Sequence, residues 1–489
     1  MFFDSPKFLF LFLPVVVLVY FVLCRRPIDT PAKLWLIVAS LFFYGCLDAR
    51  HLPILLVSCG ANYVISLSIL RVRHDGRMHA RSALIAGIIM NCGMLAYFKY
   101  TGFVIADLNV FSEWKNSLLN IALPLGISFF TFSQIAYLVE SYRNQIKAHN
   151  FTDYILYVTY FPKLISGPIA RFGEMMDQFA RPHARVPDRA NLETGIYLIF
   201  IGLFKKIVLA DVLASWVNGG FDAAPTLTFF EAWATSLAFT FQLYFDFSGY
   251  TDMAIGISLV MNIRLPINFD SPYRALSVRD FWRRWHMTLS RFIWEFIYVP
   301  LGGNRTGEYR TYLNLMATFV VCGLWHGAGW TFVFWGFLHG LALVMGRLWK
   351  KTGISISKPL AWFLTFNFVN MAWVFFRAAS FDDAVKVLKG MSGANGFVLP
   401  EQILAMLPDA FRSVIAGEGA VQYLADGTVM GFVEMILIFI FVFFIALLCK
   451  NTNQMSVSHK KMAFALTIAF TLQRLFFAQT PSQFIYFRF

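Results

Sequence analysis

TYLNLMATFVVCGLWHGAGWTFVFWGFLHGLALVMG, residues 311–346, contains no Asp, Glu, Lys or Arg. About 20 apolar residues carry a helix across roughly 30 Å of hydrocarbon. The stretch therefore reads as two short spans, 311–325 and 330–346, joined by the glycine-rich string GLWHGAGW (323–330). Similar apolar runs recur on both sides, at 8–24, 34–47, 52–70, 83–106, 118–142, 194–217, 229–262, 359–376, 430–449 and 462–479. The expectation is an all-α polytopic membrane protein with about twelve spans.

The composition agrees. Of the 489 residues, 58% are hydrophobic and 14% are charged, against about 25% charged in soluble chains. Mean hydropathy is +0.60. So little charge excludes an ordinary soluble enzyme, a disordered chain and a secreted disulfide scaffold. The six cysteines lie in or beside apolar stretches and form no C-x-x-C pair, so neither a metal site nor a disulfide framework is expected. The run Phe8–Cys24 has one lysine before it, two arginines after it and no small-residue cleavage site. It reads as a retained first span.

The net charge of +13 has a direction. With the N-terminus outside, the alternate loops 25–33, 71–82, 143–193, 263–310, 347–358 and 450–461 hold 29 of the 41 basic residues, and the outside segments hold 8. Cytoplasmic loops collect Lys and Arg. Both termini are therefore expected outside, and the basic residues are expected to meet anionic lipid, not nucleic acid. No internal repeat or low-complexity linker divides the chain, so 1–489 reads as one membrane domain. Its one sizeable outside segment, 377–429, carries two amphipathic stretches, 381–391 and 400–417.

Two inside loops are too apolar for ordinary loops: YILYVTYFPKLISGP (154–168) and FWRRWHMTLSRFIWEFIYVP (281–300). Both read as re-entrant or interfacial helices. A helix over 279–297 would put Trp282, Trp285, His286 and Leu289 on one face and Arg283, Arg284 and Arg291 on the other. Those arginines suit either lipid phosphates or a cytoplasmic ligand carrying several phosphates. Gly302-Gly303-Asn304 reads as the turn that ends the segment.

His326, in GLWHGAGW, would lie in the outer half of the hydrocarbon core. An ionisable residue there is a functional candidate, and a neutral imidazole can act as a general base. The bland reading is a structural histidine, and it fits His339 better. Gly323, Gly327 and Gly329 offer close approach and bare N–H groups. Asp246 and Asp252, in QLYFDFSGYTD (242–252), need a cavity or an inside arginine as partner. G-x-S-x-G, H-E-x-x-H, Walker A and G-x-G-x-x-G are all absent, and no two histidines stand four apart on a helix, so no metal is expected.

Five strings together resemble the membrane-bound O-acyltransferase family, in its bacterial polysaccharide O-acetylase branch of the alginate-acetylation type. They are FPKLISGPIARF (161–172), QLYFDFSGYTDMAIG (242–256), FWRRWHMTLS (281–290), YVPLGGNR (298–305) and LWHGAGW (324–330), with FIYFRF (484–489) at the end. The teichoic-acid D-alanyl transferase shares the two histidine strings. The resemblance implies helices around a tunnel in the bacterial inner membrane, with His326 and His286 as the catalytic pair. It implies acetyl-CoA as a cytoplasmic donor substrate, with no bound cofactor. Trp282, Arg283, Arg284, Trp285, Asp246, Trp325 and Asn304 would bind or orient that donor. It further implies a periplasmic or surface partner of the SGNH-hydrolase type, which esterifies alginate or a similar exopolysaccharide. Teichoic-acid D-alanylation and peptidoglycan O-acyl transfer are the enzymatic alternatives. A transporter or a docking scaffold is the alternative of another class.

Overall fold

The computed structural model describes residues 1–26, 28–72, 77–108, 121–146, 150–181, 186–399, 429–454, 467–468 and 471. The expected span 462–479, the stretch 400–417 and the ending 484–489 lie outside the described residues, apart from 467–468 and 471. All regular structure among the described residues is helical. Contacts divide the chain into two compact units: 1–203 with 249–267 and 460–477, and 204–248 with 268–459 and 478–489.

The first unit holds α1 (Leu13–Cys24), α2 (Thr30–Asp48), α3 (Leu52–Val72), α4 (Arg77–Leu108), α5 (Ile127–Tyr142), α6 (Phe151–Thr159), α7 (Phe161–Leu164), α8 (Phe172–Phe179) and α9 (Arg189–Leu203). Pro31 stands in the first turn of α2, where a missing N–H costs nothing. That placement lets α2 start at Thr30, so it is longer than the 34–47 expected.

The loop expected to be re-entrant is α6–α7 and its continuation, and every residue from 154 to 170 is buried. Backbone outside regular helix is tolerated at membrane depth only where protein encloses it. Tyr160 breaks the helix (φ −49°, ψ 108°) one residue before Phe161-Pro162. Lys163 Nζ donates to Ser133 Oγ at 3.2 Å and sits 4.0 Å above the Tyr157 ring. Nearby helices carry a buried amide network: Ser58 Oγ and Asn62 Nδ2 both donate to Gln134 Oε1, and Asn91 Nδ2 donates to Asn62 Oδ1 at 2.6 Å.

The second unit starts with a π-helical turn, Phe204–Ala210, then α10 (Asp211–Asn218) and a second such turn, Gly219–Ala223. Helical backbone thus runs through the whole span expected at 194–217, with a π-helical stretch in its middle. Next comes α11 (Phe229–Val260), which the first unit shares from Gly249 onward. The unit continues with α12 (Val278–Arg284), α13 (Met287–Ile293), α14 (Glu308–His326), α15 (Trp330–Lys351), α16 (Lys358–Arg377), α17 (Phe381–Met391) and α18 (Val429–Leu447). Helix α17 is the first amphipathic stretch expected in 377–429, and Ser380 Oγ caps it by accepting from Asp383 N at 3.1 Å.

Among the described residues, four helical stretches are long and apolar enough to cross a membrane: Thr30–Arg71, Met78–Ile105, Trp330–Lys351 and Lys358–Arg377. Phe8–Cys24 and Gly431–Leu447 are shorter apolar helices. Helices α14 and α15 form a tight hairpin. A Cβ on Gly323 would stand 2.2 Å from Phe332 O, and one on Gly336 would stand 2.3 Å from Phe319 O. Glycine at both positions lets the two backbones meet.

Candidate active site

All the expected site residues fall in the second unit. Ser277 Oγ accepts from Asp280 N at 3.1 Å and starts α12. The single helix expected over 279–297 is not formed. It stops at Trp285, whose backbone is extended, and His286 is left-handed (φ +42°, ψ +54°). That conformation costs a non-glycine residue about 1 kcal/mol. Asn268 offsets it by receiving the free end of α13: its Oδ1 accepts from Thr288 N at 3.2 Å and Thr288 Oγ1 at 2.9 Å, and its O accepts from Met287 N at 2.9 Å. A partner distant in sequence overrides the helical period.

The break separates residues that one helix would have aligned. Trp282 and Arg283 line a cavity of about 1250 Å³. Trp285 is buried against Phe269 and Trp373, each with ring centroids 5.0 Å away. Arg284 does not line the cavity. Its Nε donates to Asp280 Oδ1 at 3.0 Å, and its Nη1 lies 3.8 Å from Asp270 Oδ2.

The cavity walls carry Arg279, Arg283 and Arg291, joined by Arg347, Lys350 and Lys351 from the end of α15. Glu308, paired with Lys351, is the one carboxylate among the lining residues. Six basic groups against one acid suit a ligand bearing several phosphates. Asn304 also lines the cavity. It follows a turn in which Gly302 (φ +105°) and Gly303 (φ +56°) are left-handed, and Asn314 Nδ2 donates to Gly303 O at 2.9 Å.

His286 is fully buried. Its Nδ1 lies 3.0 Å from Asn268 Oδ1, and its ring meets Phe247 edge-on at 4.8 Å. Met287, the next residue, lines the cavity. His326 ends α14 and is 4% exposed. Its ring is caged by Trp325 at 4.7 Å, Phe376 at 5.1 Å and Trp335 at 5.2 Å. Trp325 also lies 6.3 Å from His286, so one indole stands beside both histidines.

His339 is tied to the cavity wall: Trp282 Nε1 donates to its Nδ1 at 3.2 Å. Through that bond α15 sets the orientation of a cavity wall. Trp335 bridges the remaining gap, 5.8 Å from Trp282 and 5.2 Å from His326. Gly327 supplies no bare N–H, because it donates to Gly323 O at 3.3 Å.

Asp246 is paired with a lysine rather than an inside arginine. Lys206 Nζ lies 2.9 Å from Asp246 Oδ1 and 3.2 Å from Asp211 Oδ1, and all three are largely buried. Asp246 does not line the cavity. Its neighbour Phe247 is the residue that reaches His286. Asp252 belongs to the first unit.

Sequence reasoning missed Lys206, Asn268 and the α15 basic cluster as site elements. Lys206 left a signal, because an acid in an apolar span calls for a base in another. Asn268 left none, since its role comes from a backbone break. Among the described residues, no group of three or more His, Cys, Asp or Glu could hold a metal ion.

Residues 54–381 match the membrane-bound O-acyltransferase family. A peptidoglycan O-acetyltransferase of Helicobacter pylori is 47% identical over 429 residues, covering 81% of each chain. A probable alginate O-acetylase of Pseudomonas aeruginosa is 39% identical over 407 residues, covering 82% of this chain and 76% of its own. A teichoic acid D-alanyltransferase of Streptococcus thermophilus is 30% identical over 302 residues, covering 53% of this chain and 69% of its own.

Proposed function

The chain belongs to the membrane-bound O-acyltransferase family, and on that premise we propose that this multi-pass enzyme takes acetyl from cytoplasmic acetyl-CoA and passes it outward to O-acetylate a cell-envelope polysaccharide. The observation that carries the reading is the cationic cavity walled by Trp282, one indole away from buried His326. The basic groups hold the phosphates of coenzyme A, and Trp282 and Asn304 border the path of its thioester arm.

In the proposed step, an acceptor hydroxyl gives its proton to His326 as its oxygen attacks the thioester carbonyl carbon. The tetrahedral adduct collapses, the C–S bond breaks, and the departing thiolate takes the proton from His326. The products are an acetyl ester and free coenzyme A. His286, beside the cavity, orients the carbonyl or passes the proton on. The acceptor belongs to a periplasmic or surface partner of the SGNH-hydrolase type, which esterifies the polymer. Greater identity to a peptidoglycan O-acetyltransferase than to an alginate O-acetylase favours peptidoglycan as that polymer. The reading includes about twelve spans forming one domain around a tunnel in the inner membrane, with both termini outside. The 29-to-8 charge bias supports that orientation.

The test is free thiol release from acetyl-CoA by the purified full chain. General-base catalysis contributes about 10²–10⁴-fold, so His326→Ala is expected to slow release about 1000-fold. An unchanged rate would remove His326 from the chemistry.

A further inference from the structure

Asn268 lies in neither histidine string, yet one of its atoms faces three donors. Its Oδ1 is 3.2 Å from Thr288 N, 2.9 Å from Thr288 Oγ1 and 3.0 Å from His286 Nδ1. A backbone N–H can only donate, so the Thr288 N–H fixes which end of the amide faces it. The atom there is oxygen, and an amide oxygen only accepts. The contact with His286 is therefore a bond donated by Nδ1–H. In a neutral imidazole only one nitrogen carries a proton, so Nε2 holds the lone pair. Nε2 is buried and has no hydrogen-bond partner among the described residues.

The irregular segment carrying Asn268 is held on both sides. Asp270 N donates to Arg284 O at 2.9 Å, Asn451 Nδ2 donates to Phe269 O at 2.7 Å, and Gln454 Nε2 donates to Asp270 Oδ1 at 3.0 Å. Rotation of the His286 ring is opposed by Phe247, edge-on at 4.8 Å. The hydrogen bond at one ring nitrogen sets the state of the other.

We propose that Asn268 is a positioning residue of the transfer reaction: it keeps the His286 proton on Nδ1 and so presents Nε2 as a basic nitrogen. The inference rests on the acyl-transfer reading of His286. It also gives Arg284 a task other than donor binding, namely holding the Asn268 segment through Asp270.

The test combines nitrogen-15 spectroscopy of the histidine-labelled full chain with turnover of acetyl-CoA. The His286 signal is the one lost in His286→Gln. It is expected to show a protonated Nδ1 and a bare Nε2. Asn268→Leu should move the proton to Nε2 and lower kcat about 100-fold with KM unchanged, in line with other groups that orient a functional histidine. Asn268→Asp keeps the accepting oxygens, so it should keep the proton on Nδ1 and restore kcat to within about tenfold of the parent. A protonated Nε2 in the parent chain overturns the inference without any variant having to fold. Equal loss in the Leu and Asp variants, or a KM effect alone, also overturns it. Full turnover by His286→Gln would sink the reading beneath it; a misplaced proton with His286→Gln inactive would sink this inference only.

Discussion

Residues 154–170 and 277–300 share a sequence signature and differ in what surrounds them. Both are apolar segments, both are broken by backbone that is not helical, and both carry basic side chains. In the first, several polar atoms meet neutral neighbours, although the buried Tyr154 OH has no hydrogen-bond partner among the described residues. Tyr157 OH donates to Ala170 O at 3.0 Å, Tyr160 OH bonds Ser258 Oγ, and Lys163 meets Ser133 and the Tyr157 ring. In the second, three arginines line an open cavity, and the Nε2 of His286 has no hydrogen-bond partner among the described residues. Burial of an irregular segment can therefore serve packing or chemistry. What separates the two regions is the arginine-lined cavity beside the second.

The two buried lysines sharpen this contrast. Lys206 stands between the carboxylates of Asp246 and Asp211, so Lys206→Met would leave uncompensated charge in an apolar interior. Breaking such a pair costs about 3–5 kcal/mol, which is expected as a large drop in the thermal unfolding midpoint in micelles. The double variant with Asp246→Leu should recover part of it. A midpoint unchanged by Lys206→Met would break the comparison from the second unit's side. A smaller effect is expected at the cavity wall. Arg283→Gln removes one of six basic groups, and a charged hydrogen bond contributes about 1.5–3 kcal/mol. KM for acetyl-CoA should rise at least tenfold with little change in kcat, and the deficit should shrink at high salt. An unchanged KM would assign that arginine to lipid instead.

Much of the architecture is legible in the sequence. The spans 311–325 and 330–346 appear as α14 and α15, extended by a few polar residues at their outer ends. The glycines of GLWHGAGW and Gly336 announce the close hairpin. The glycine pair at 302–303 announces its turn. The failures have two physical sources. Periodicity assumes continuous helix, and it cannot see that Asn268 receives the start of α13 after the break at His286. A charge argument places arginines on a loop, but it cannot tell Arg283, facing the cavity, from Arg284, tied to Asp280 and Asp270. Trp282 and Trp285 divide in the same way. Trp282 faces the cavity, and Trp285, at the end of α12, fills the aromatic core.

The most direct measurement compares acetyl-CoA turnover by Lys163→Met and His286→Gln in the full chain, side by side. Lys163 makes one hydrogen bond, to Ser133 Oγ, and the carboxylate that interacts with it, Glu140, also meets Arg171. Lys163→Met is expected to keep its rate within about threefold, while His286→Gln falls by about 100-fold or more. Full turnover by His286→Gln, with collapse in Lys163→Met, would contradict the account and move the chemistry to the first unit.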